Sequence, residues 1–518
     1  MDDSKFTRKQ MVFIFIGLMA SLLLYALDST VVSTAMKKII GELNGMQFYS
    51  WPFTVYMLCS TVAIPVCGGI SDVHGHKPIF LAGITAFLLG SAFCGMSQSM
   101  TQLIIFREIQ GIGGGAIVSS VFTVVADLFP PSRRGKYTGL VTSMYGVASI
   151  VGPLLGGLVT DCLGWRWIFF LNIPLGIAAA CFLGFCLPAN RPEGKKSVDT
   201  AGILVLVAAL VPMLLAFSMV GSYFDWISVP FFSMLSVSAV LLVLFGFLEA
   251  KAENPIVPIR YFQDRAVSFS CLMSFLNQAL MFAVILYLPY FAQAVMSLTA
   301  TVSGATITPM MIGLLLASNI AGQAVSGTGK CRLLSIGSFV LTSVGMYLLS
   351  AMNSFTPYPS LIFYASLTGF AIGLNMPISN VNAQNSVPRE KIGGITSAVM
   401  FFKNLGRTVG SAAFGAILTN SMNFGFVKLN LSGLPENIRQ LLRKPETLSN
   451  AAAIKTVAAH VPAAFSQNFN ILLQKAEAVL ADSVGDVFRV CVVVALVGAF
   501  LMIFLKEAPV RAGKKDRR

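Results

Sequence analysis

Five ionisable side chains interrupt the apolar segments of this chain, and their types suit the binding of protons or charged molecules. Asp28 stands near the end of the first apolar run, Arg107 and Glu108 are adjacent, and Lys403 and Arg407 lie four residues apart. A charged side chain in a membrane span is energetically costly, so it usually faces the protein interior or a water-filled cavity. The expected chemistry is proton exchange or ion pairing rather than covalent catalysis, and no metal site is expected.

Asp28 is the strongest candidate for proton coupling or substrate binding. Tyr25 lies about one helical turn before it and is a candidate for lining the same cavity. Burial favours the neutral form of a carboxyl group, so a carboxyl in this position can exchange a proton for a cation. The alternative is a helix-end residue that the outer aqueous layer hydrates.

Each of the other charged residues has two interpretations. Arg107 and Glu108 are, with Asp28, candidates for proton coupling: the two adjacent residues form either a proton relay or a structural pair. Adjacent residues point about 100° apart on a helix, so the two need not pair with each other. Lys403 and Arg407 share one helix face. They either line the cavity and attract an anionic or zwitterionic group, or they extend their charged ends to phosphate headgroups.

Two amides of the second half are further cavity candidates. Asn319 and Gln323 lie four residues apart and therefore share a helix face. Amides in membrane spans, however, more often hydrogen-bond to neighbouring helices than bind a substrate.

The segments that carry these residues are predicted to be membrane-spanning helices. Apolar residues make up 55% of the 518-residue chain, charged residues 11%, and the mean hydropathy is +0.76. A soluble domain has about 25% charged residues, and a span needs about 20 apolar residues. Backbone polar groups in hydrocarbon must bond internally, which favours helices. The predicted spans are residues 11–33, 48–70, 78–97, 102–127, 138–160, 166–187, 199–220, 228–249, 267–292, 303–325, 332–351, 358–380, 394–418 and 487–506.

The distribution of basic residues predicts the orientation of these spans. With a cytoplasmic N-terminus, the inner segments contain most of the Lys and Arg residues, whereas the short outer loops contain Lys37, Lys38 and Arg166. This bias places both termini in the cytoplasm and favours an even number of spans. The net charge of +14 is therefore attributed to membrane orientation, and no nucleic-acid partner is expected.

One long segment, from about 420 to 486, is predicted to lie outside the membrane. Leu434–Leu442 and Pro462–Phe488 have the apolar spacing of amphipathic helices, so a small hairpin is expected there. It is either a cap over the outer mouth or a passive connection.

Glycine-containing motifs predict close contacts between helices. The loop after the second span contains Gly68, Asp72, Gly75 and Lys77, which is typical of a tight hinge that docks on a neighbouring helix. The fifth span combines small residues, which permit close packing, with a proline, which bends the helix. These residues are Gly146, Gly152, Pro153, Gly156 and Gly157.

These motifs, with the Asp28 segment, the fourth-span stretch 107–115 and the stretches 165–176 and 402–410, resemble the major facilitator superfamily. The order and spacing are most similar to its fourteen-helix drug:proton antiporter branch, the EmrB/QacA type. The resemblance implies two six-helix bundles related by a pseudo-two-fold axis, with two additional helices between them. The implied domains are residues 1–190, the first bundle; 191–265, the two additional helices and linkers; 266–506, the second bundle with an extracellular hairpin at about 420–486; and 507–518, a basic cytoplasmic tail.

The resemblance also implies roles for individual residues. It links Arg107 to proton coupling, Asp28 to substrate or proton binding, and the glycine-rich fifth helix to export. This chain has Val73 and His76 where the family usually has arginine, which weakens any latch between Asp72 and an arginine. The corresponding loop of the second half lacks the acid, so coupling is expected in the N-terminal half.

We therefore expect an all-α membrane protein of the cell membrane that is not an enzyme. It is expected to export hydrophobic or amphipathic drugs, preferably cations, by alternating access, using the proton gradient and no cofactor. One alternative is an exporter of an anionic lipid-like molecule, metabolite or siderophore, and another is a receptor or scaffold that transports nothing. The expected partners are the small-molecule substrate, protons and the lipid bilayer, and an accessory export protein is left open.

Overall fold

The computed structural model describes residues 8–43, 45–128, 131–188, 200–220, 223–251, 262–328, 331–387, 392–429 and 466–506. Within these ranges the protein is helical, with a short 3-10 turn at Met46–Phe48 and no strand. The helices are α1 (Arg8–Leu43), α2 (Trp51–His74), α3 (His76–Met96), α4 (Met100–Leu128), α5 (Pro131–Cys162), α6 (Arg166–Phe170), α7 (Asn172–Cys186), α8 (Thr200–Met219), α9 (Val229–Lys251), α10 (Arg265–Ala294), α11 (Ala300–Thr328), α12 (Cys331–Ser350), α13 (Tyr358–Asn385), α14 (Ile392–Val427) and α15 (Ser466–Met502).

Twelve segments of the described chain are long and apolar enough to cross a membrane, with α6 and α7 counted as one. The apolar core of α8, residues 201–217, is shorter, and α14 has 36 residues but carries Lys403, Arg407 and several hydroxyl and amide side chains. The sequence predicts fourteen spans because it counts α8 and α14, which are not among the twelve segments. The count of fourteen and the cytoplasmic position of both termini stay predictions.

The last two helices extend beyond their predicted spans. α14 continues to Val427 rather than ending near 418, and α15 begins at Ser466 rather than near 487. The amphipathic pattern within Pro462–Phe488 therefore falls largely in the first half of α15, which is continuous with the last span, and the hairpin stays a prediction. The segment Leu434–Leu442 lies outside the described residues.

The helices pack as two groups that meet along two seams. In the N-terminal group α1 packs on α5 and α7, and α4 packs on α2 and α3; in the C-terminal group α10 packs on α14, α11 on α13 and α12 on α15. The seams are α5 against α11 and α2 against α14. We call the end where α1 meets α2 and α5 meets α6 the outer end, because the charge distribution predicts it to lie outside.

The helix pair α8–α9 covers the seam between α2 and α14. Leu206 and Leu210 of α8 are buried against residues of both helices, among them Leu58 of α2 and Leu405 of α14. Nearer the outer end, Ala216 and Val220 pack in one cluster with Ala416 of α14. The additional helices thus contact both halves.

The hinge predicted after the second span is a tight turn. Gly75 separates α2 from α3 and has φ +92°, a backbone conformation that residues other than glycine rarely adopt. Gly68 faces the Ser119 hydroxyl of α4, and Lys77 is half-buried at the start of α3. The side chain of Asp72 lies outside the described part of the structure, so the latch stays a prediction.

Candidate functional site

Helices α1 and α4 bring Asp28 and Arg107 into direct contact. Arg107 Nη1 donates to Asp28 Oδ2 at 2.5 Å, and both side chains are almost fully buried. Burying two charges is costly, and close geometry with further hydrogen bonds is needed to offset that cost. The pair therefore depends on the polar groups around it.

Three neutral side chains complete the hydrogen bonding of this pair. Asp28 Oδ1 accepts from Gln110 Nε2 at 2.8 Å and from Asn172 Nδ2 at 3.2 Å. Both amides also donate to the Ser91 hydroxyl, at 3.2 and 2.9 Å. Arg107 Nη1 donates in addition to Gln110 Oε1 at 2.8 Å. We call these five residues the α1–α4 network, and it connects α1, α3, α4 and α7.

The Arg107 guanidinium is held on its other side by α2. Its Nε donates to the Pro52 carbonyl at 3.2 Å, and its Cζ lies 4.0 Å from the centre of the Tyr56 ring. Such a cation–π contact stabilises a desolvated cation by about 2 kcal/mol. Arg107 Nη2 and the Tyr56 hydroxyl are buried without a hydrogen-bond partner among the described atoms. The guanidinium can therefore form one more hydrogen bond if the pair rearranges.

Glu108 is not part of this network. It is exposed and lies on the face of α4 that also carries the exposed Ile105 and Ile112. The structure thus places the Glu108 side chain away from Asp28 and Arg107, because neighbouring positions on a helix point about 100° apart. Its proposed part in proton coupling has no geometric support in this state.

Tyr25 belongs to an aromatic cluster rather than to the acid–base pair. It stacks on Tyr56 with ring centres 6.0 Å apart, meets the edge of Tyr145 of α5 at 6.3 Å, and accepts a hydrogen bond from the Ser60 hydroxyl at 3.2 Å. Tyr25 itself is buried, whereas Tyr145 is half-buried.

The two cations of α14 face the helices of the C-terminal half. Arg407 is half-buried, and its Nε donates to Gln278 Oε1 of α10 at 3.2 Å. Lys403, one turn closer to the inner end, is 7% exposed. The alternative in which both reach lipid headgroups does not fit this burial.

Asn319 and Gln323 are not brought together with these cations. Both are exposed on α11, and they share a face with Ile312, Leu316 and Ile320, which are also exposed. Asn319 donates to the Leu315 carbonyl of its own helix at 3.0 Å. This pattern is typical of a lipid-facing surface, and it gives no support to their assignment as cavity residues.

The glycines of α5 allow it to pack closely on both halves. A Cβ atom at Gly152 or Gly156 would collide with Thr30 or Thr34 of α1, and one at Gly157 would lie 2.5 Å from the backbone of α11 at Ala300. The Pro153 carbonyl approaches Gly304 of α11 in the same way, whereas Gly146 meets only Leu315 at its side-chain end. This part of α5 is therefore in close contact with both α1 and α11.

The last turn of α5 also forms polar contacts with α11 at the outer end. Asp161 Oδ2 accepts from the Thr301 backbone nitrogen at 2.7 Å and from the Thr301 hydroxyl at 2.6 Å, and Oδ1 accepts from the Ala300 nitrogen at 3.3 Å. Lys38 Nζ lies 3.3 Å from Asp161 Oδ1. We call Asp161 with the start of α11 the outer clasp, since it joins the two halves.

Other polar contacts between the halves extend the closure inward from the outer clasp. Gln293 Nε2 of α10 donates to the Thr34 carbonyl of α1 at 2.8 Å, and the Thr54 and Ser411 hydroxyls lie 3.0 Å apart across the α2–α14 seam. The outer end is therefore closed in this state.

Replacing Asp161 with alanine is expected to weaken this closure. Loss of a side chain that caps a helix costs about 0.5–2 kcal/mol, which corresponds to a shift of about 2- to 30-fold in a population ratio. A cysteine introduced at the buried Thr54, in a background without the native cysteines, should react with an impermeant maleimide faster by that factor.

The matched control is Glu42→Ala. Glu42 also forms an ion pair at the outer end, with Arg166 at 2.7 Å, but both residues lie within the N-terminal half. Its loss should leave labelling at position 54 unchanged. Equal acceleration by both variants would show that the outer clasp is not what holds the halves together.

Comparison with known proteins decides the family. Residues 18–411 match the Major Facilitator Superfamily, which is well over half of the chain. The chain belongs to this superfamily. As a major facilitator protein it is a transporter and not an enzyme, and it is a multi-pass membrane protein of a family usually found in the plasma membrane.

Relatives of this major facilitator protein include drug transporters. It is 34% identical over 510 residues to the multidrug transporter protein MdtP of Bacillus subtilis, covering 96% of this chain and 93% of that one. It is 32% identical to multidrug resistance protein 3 of the same organism, covering 99% and 98%.

Solved structures support the fold. An inward-facing, unoccupied bacterial homologue of the lysosomal transporter Spinster matches with a TM-score of 0.66 at 13% identity, covering 97% of this chain and 100% of that one. A D-xylose–proton symporter matches with a TM-score of 0.60 at 13% identity, covering 97% and 99%.

Several residues of this major facilitator protein were missed as site residues by sequence reasoning. Gln110 had a usable signal, because it lies three residues after Arg107 and therefore on nearly the same helix face. Asn172 lies in the stretch 165–176 that carries the resemblance but was not singled out, and Ser91 and Asp161 had no signal, since their partners lie far away in the sequence.

Proposed function

We propose that this protein exports hydrophobic or amphipathic compounds from the cell and is driven by protons that move inward. The observation that carries the proposal is the fully buried Asp28–Arg107 ion pair, which joins α1 to α4 inside a bundle closed at the outer end. The names of the two Bacillus relatives, a multidrug transporter and a multidrug resistance protein, support drug export. The finer assignment to the fourteen-helix drug:proton antiporters belongs to the same proposal.

The proposed coupling step is protonation of Asp28. A neutral carboxyl no longer balances the Arg107 charge, so the guanidinium would turn its unused nitrogen to another acceptor and α1 would shift against α4. Because α1 also packs on α5 through Gly152 and Gly156, such a shift would be transmitted to the seam with α11. Each inward proton would gain about 2.3 kcal/mol per 100 mV of membrane potential.

Uptake into everted membrane vesicles tests the proposal. Respiring vesicles that contain the protein should accumulate the xanthene cation rhodamine 6G, and a protonophore should abolish the accumulation within the same trace. Accumulation that survives the protonophore would reject proton coupling, and a wide panel of compounds without any accumulation would reject export. The expected preference for cations is tested by the same panel.

A further inference from the structure

The two cations of α14 are held rigidly against α10. Gly406 packs directly on the Phe275 backbone, and a Cβ atom at Gly410 would lie 2.9 Å from the Ala279 backbone, so the two helices are in close contact on either side of Arg407. Lys403 lies one turn before Arg407 on the same face. Their positions are therefore fixed by backbone packing and not by lipid.

These two positive charges have no acidic partner within the described residues. Lys403 makes no hydrogen bond or ion pair there, and Arg407 uses only its Nε, on the neutral Gln278. The Asp28 carboxylate is bound to Arg107, and Asp161 lies at the outer end. A buried cation needs a counter-charge, so the site is built to receive an anion.

A neutral polar group with unused hydrogen-bonding capacity lies beside the cations. Ser274 stands on one face of α10 between Cys271 and Gln278; Cys271 packs in one cluster with Phe402 of α14, and Gln278 accepts from Arg407. The Ser274 hydroxyl is buried without a partner among the described atoms. A bound anion would find a donor in this hydroxyl.

One aromatic side chain of the N-terminal half lies within electrostatic range of Arg407. It is Tyr145 of α5, which is half-buried and meets the buried Tyr25 edge-on at 6.3 Å. A compound with a flat ring and one negative group could therefore contact both Arg407 and the Tyr145 ring.

We propose that Lys403 and Arg407 bind the anionic group of an aromatic anion or zwitterion whose ring lies against Tyr145. This rests on the proposed function, because the bound compound is taken to be the exported one. The substrates would then include aromatic carboxylates, and the cation preference expected from the sequence would not describe the whole range.

Binding of two xanthene dyes to the purified full-length protein tests this inference. Fluorescein is an aromatic anion and rhodamine 6G an aromatic cation, and fluorescence anisotropy in detergent gives a Kd for each. Lys403→Gln and Arg407→Gln should each weaken fluorescein binding at least tenfold and leave rhodamine 6G binding within threefold. The control is Lys428→Gln, which removes an exposed cation near the outer end of the same helix and should change neither Kd.

Each outcome decides the matter. Failure of fluorescein to bind the unaltered protein, or equal binding by the two α14 variants, overturns the proposal. If Lys403→Gln does not fold, as judged by size exclusion, Arg407→Gln decides alone because its side chain is half-buried. Since the assay needs no proton gradient, its result stays separate from that of the vesicle experiment: protonophore-sensitive rhodamine uptake with no anion binding would reject this inference only.

Discussion

Replacing Asp28 with asparagine is expected to abolish proton-driven rhodamine 6G uptake into everted vesicles, reducing the initial rate at least 30-fold. The amide keeps the size of the side chain and can still accept from Gln110, but it can neither take up a proton nor balance the Arg107 charge. Exchange of dye without a gradient should persist, because Asp28 is enclosed in the α1–α4 network and not at a seam between the halves. The measurement is the initial uptake rate with and without respiration.

The matched control for this variant is Glu108→Gln. It neutralises a carboxylate on the same helix as Arg107, but Glu108 is exposed and outside the α1–α4 network. Uptake should stay within twofold of the unaltered protein. Undiminished uptake by Asp28→Asn would remove Asp28 from the coupling mechanism, and loss of uptake in Glu108→Gln would show that the coupling group had been assigned to the wrong carboxylate.

Replacing Gly157 with leucine is expected to stop transport by preventing closure of the outer end. A Cβ atom there would lie 2.5 Å from the backbone of α11 at Ala300 and Thr301, and backbone atoms cannot move aside as a flexible side chain can. The halves should stay apart at the outer end, so the Thr54→Cys label site becomes accessible and the uptake rate falls more than tenfold. Protein yield should be normal, because packing within each half is unaffected.

Gly184→Leu is the control for this substitution. Gly184 lies in α7, and a Cβ atom there would meet nothing within 4 Å. This variant should transport at the normal rate and leave position 54 protected. A Gly157→Leu protein that still transports would mean that α5 and α11 do not need to touch during the cycle.

The fold class, and the helices formed by uniformly apolar segments, could be predicted from the sequence. The charge of Arg107 in an apolar run indicated an interior position, and the small residues of α5 indicated close packing; both follow from local composition. The amphipathic spacing over Pro462–Phe488 predicted helix there, but not that it continues into the last span as α15. The end of α14 was not predictable from apolar runs, since a helix that projects beyond the bilayer has the mixed polar and apolar pattern of a soluble one.

The partners within the site were less accessible to sequence reasoning. Asp28 and Arg107 each stood out, but their pairing, and the contributions of Ser91 and Asn172, depend on how α3 and α7 pack on α4. Asn319 and Gln323 were assigned to the cavity because they are polar, yet position on a helix and not polarity decides which surface a side chain faces. The sequence alone left open whether Lys403 lies in the protein interior or reaches the lipid headgroups, and the packing of α14 on α10 shows that it is buried.

The α8–α9 pair gives the molecule a sidedness within the plane of the bilayer. A lipid-dissolved compound that diffuses toward the α2–α14 seam meets α8 first, whereas no further described helix packs extensively across the seam between α5 and α11. The two flanks of the bundle therefore differ: one seam is covered by an additional helix pair and, among the described helices, the other is not. At the α2–α14 seam, by contrast, α8 contacts both halves, so it can stay in place while the two halves rotate relative to each other.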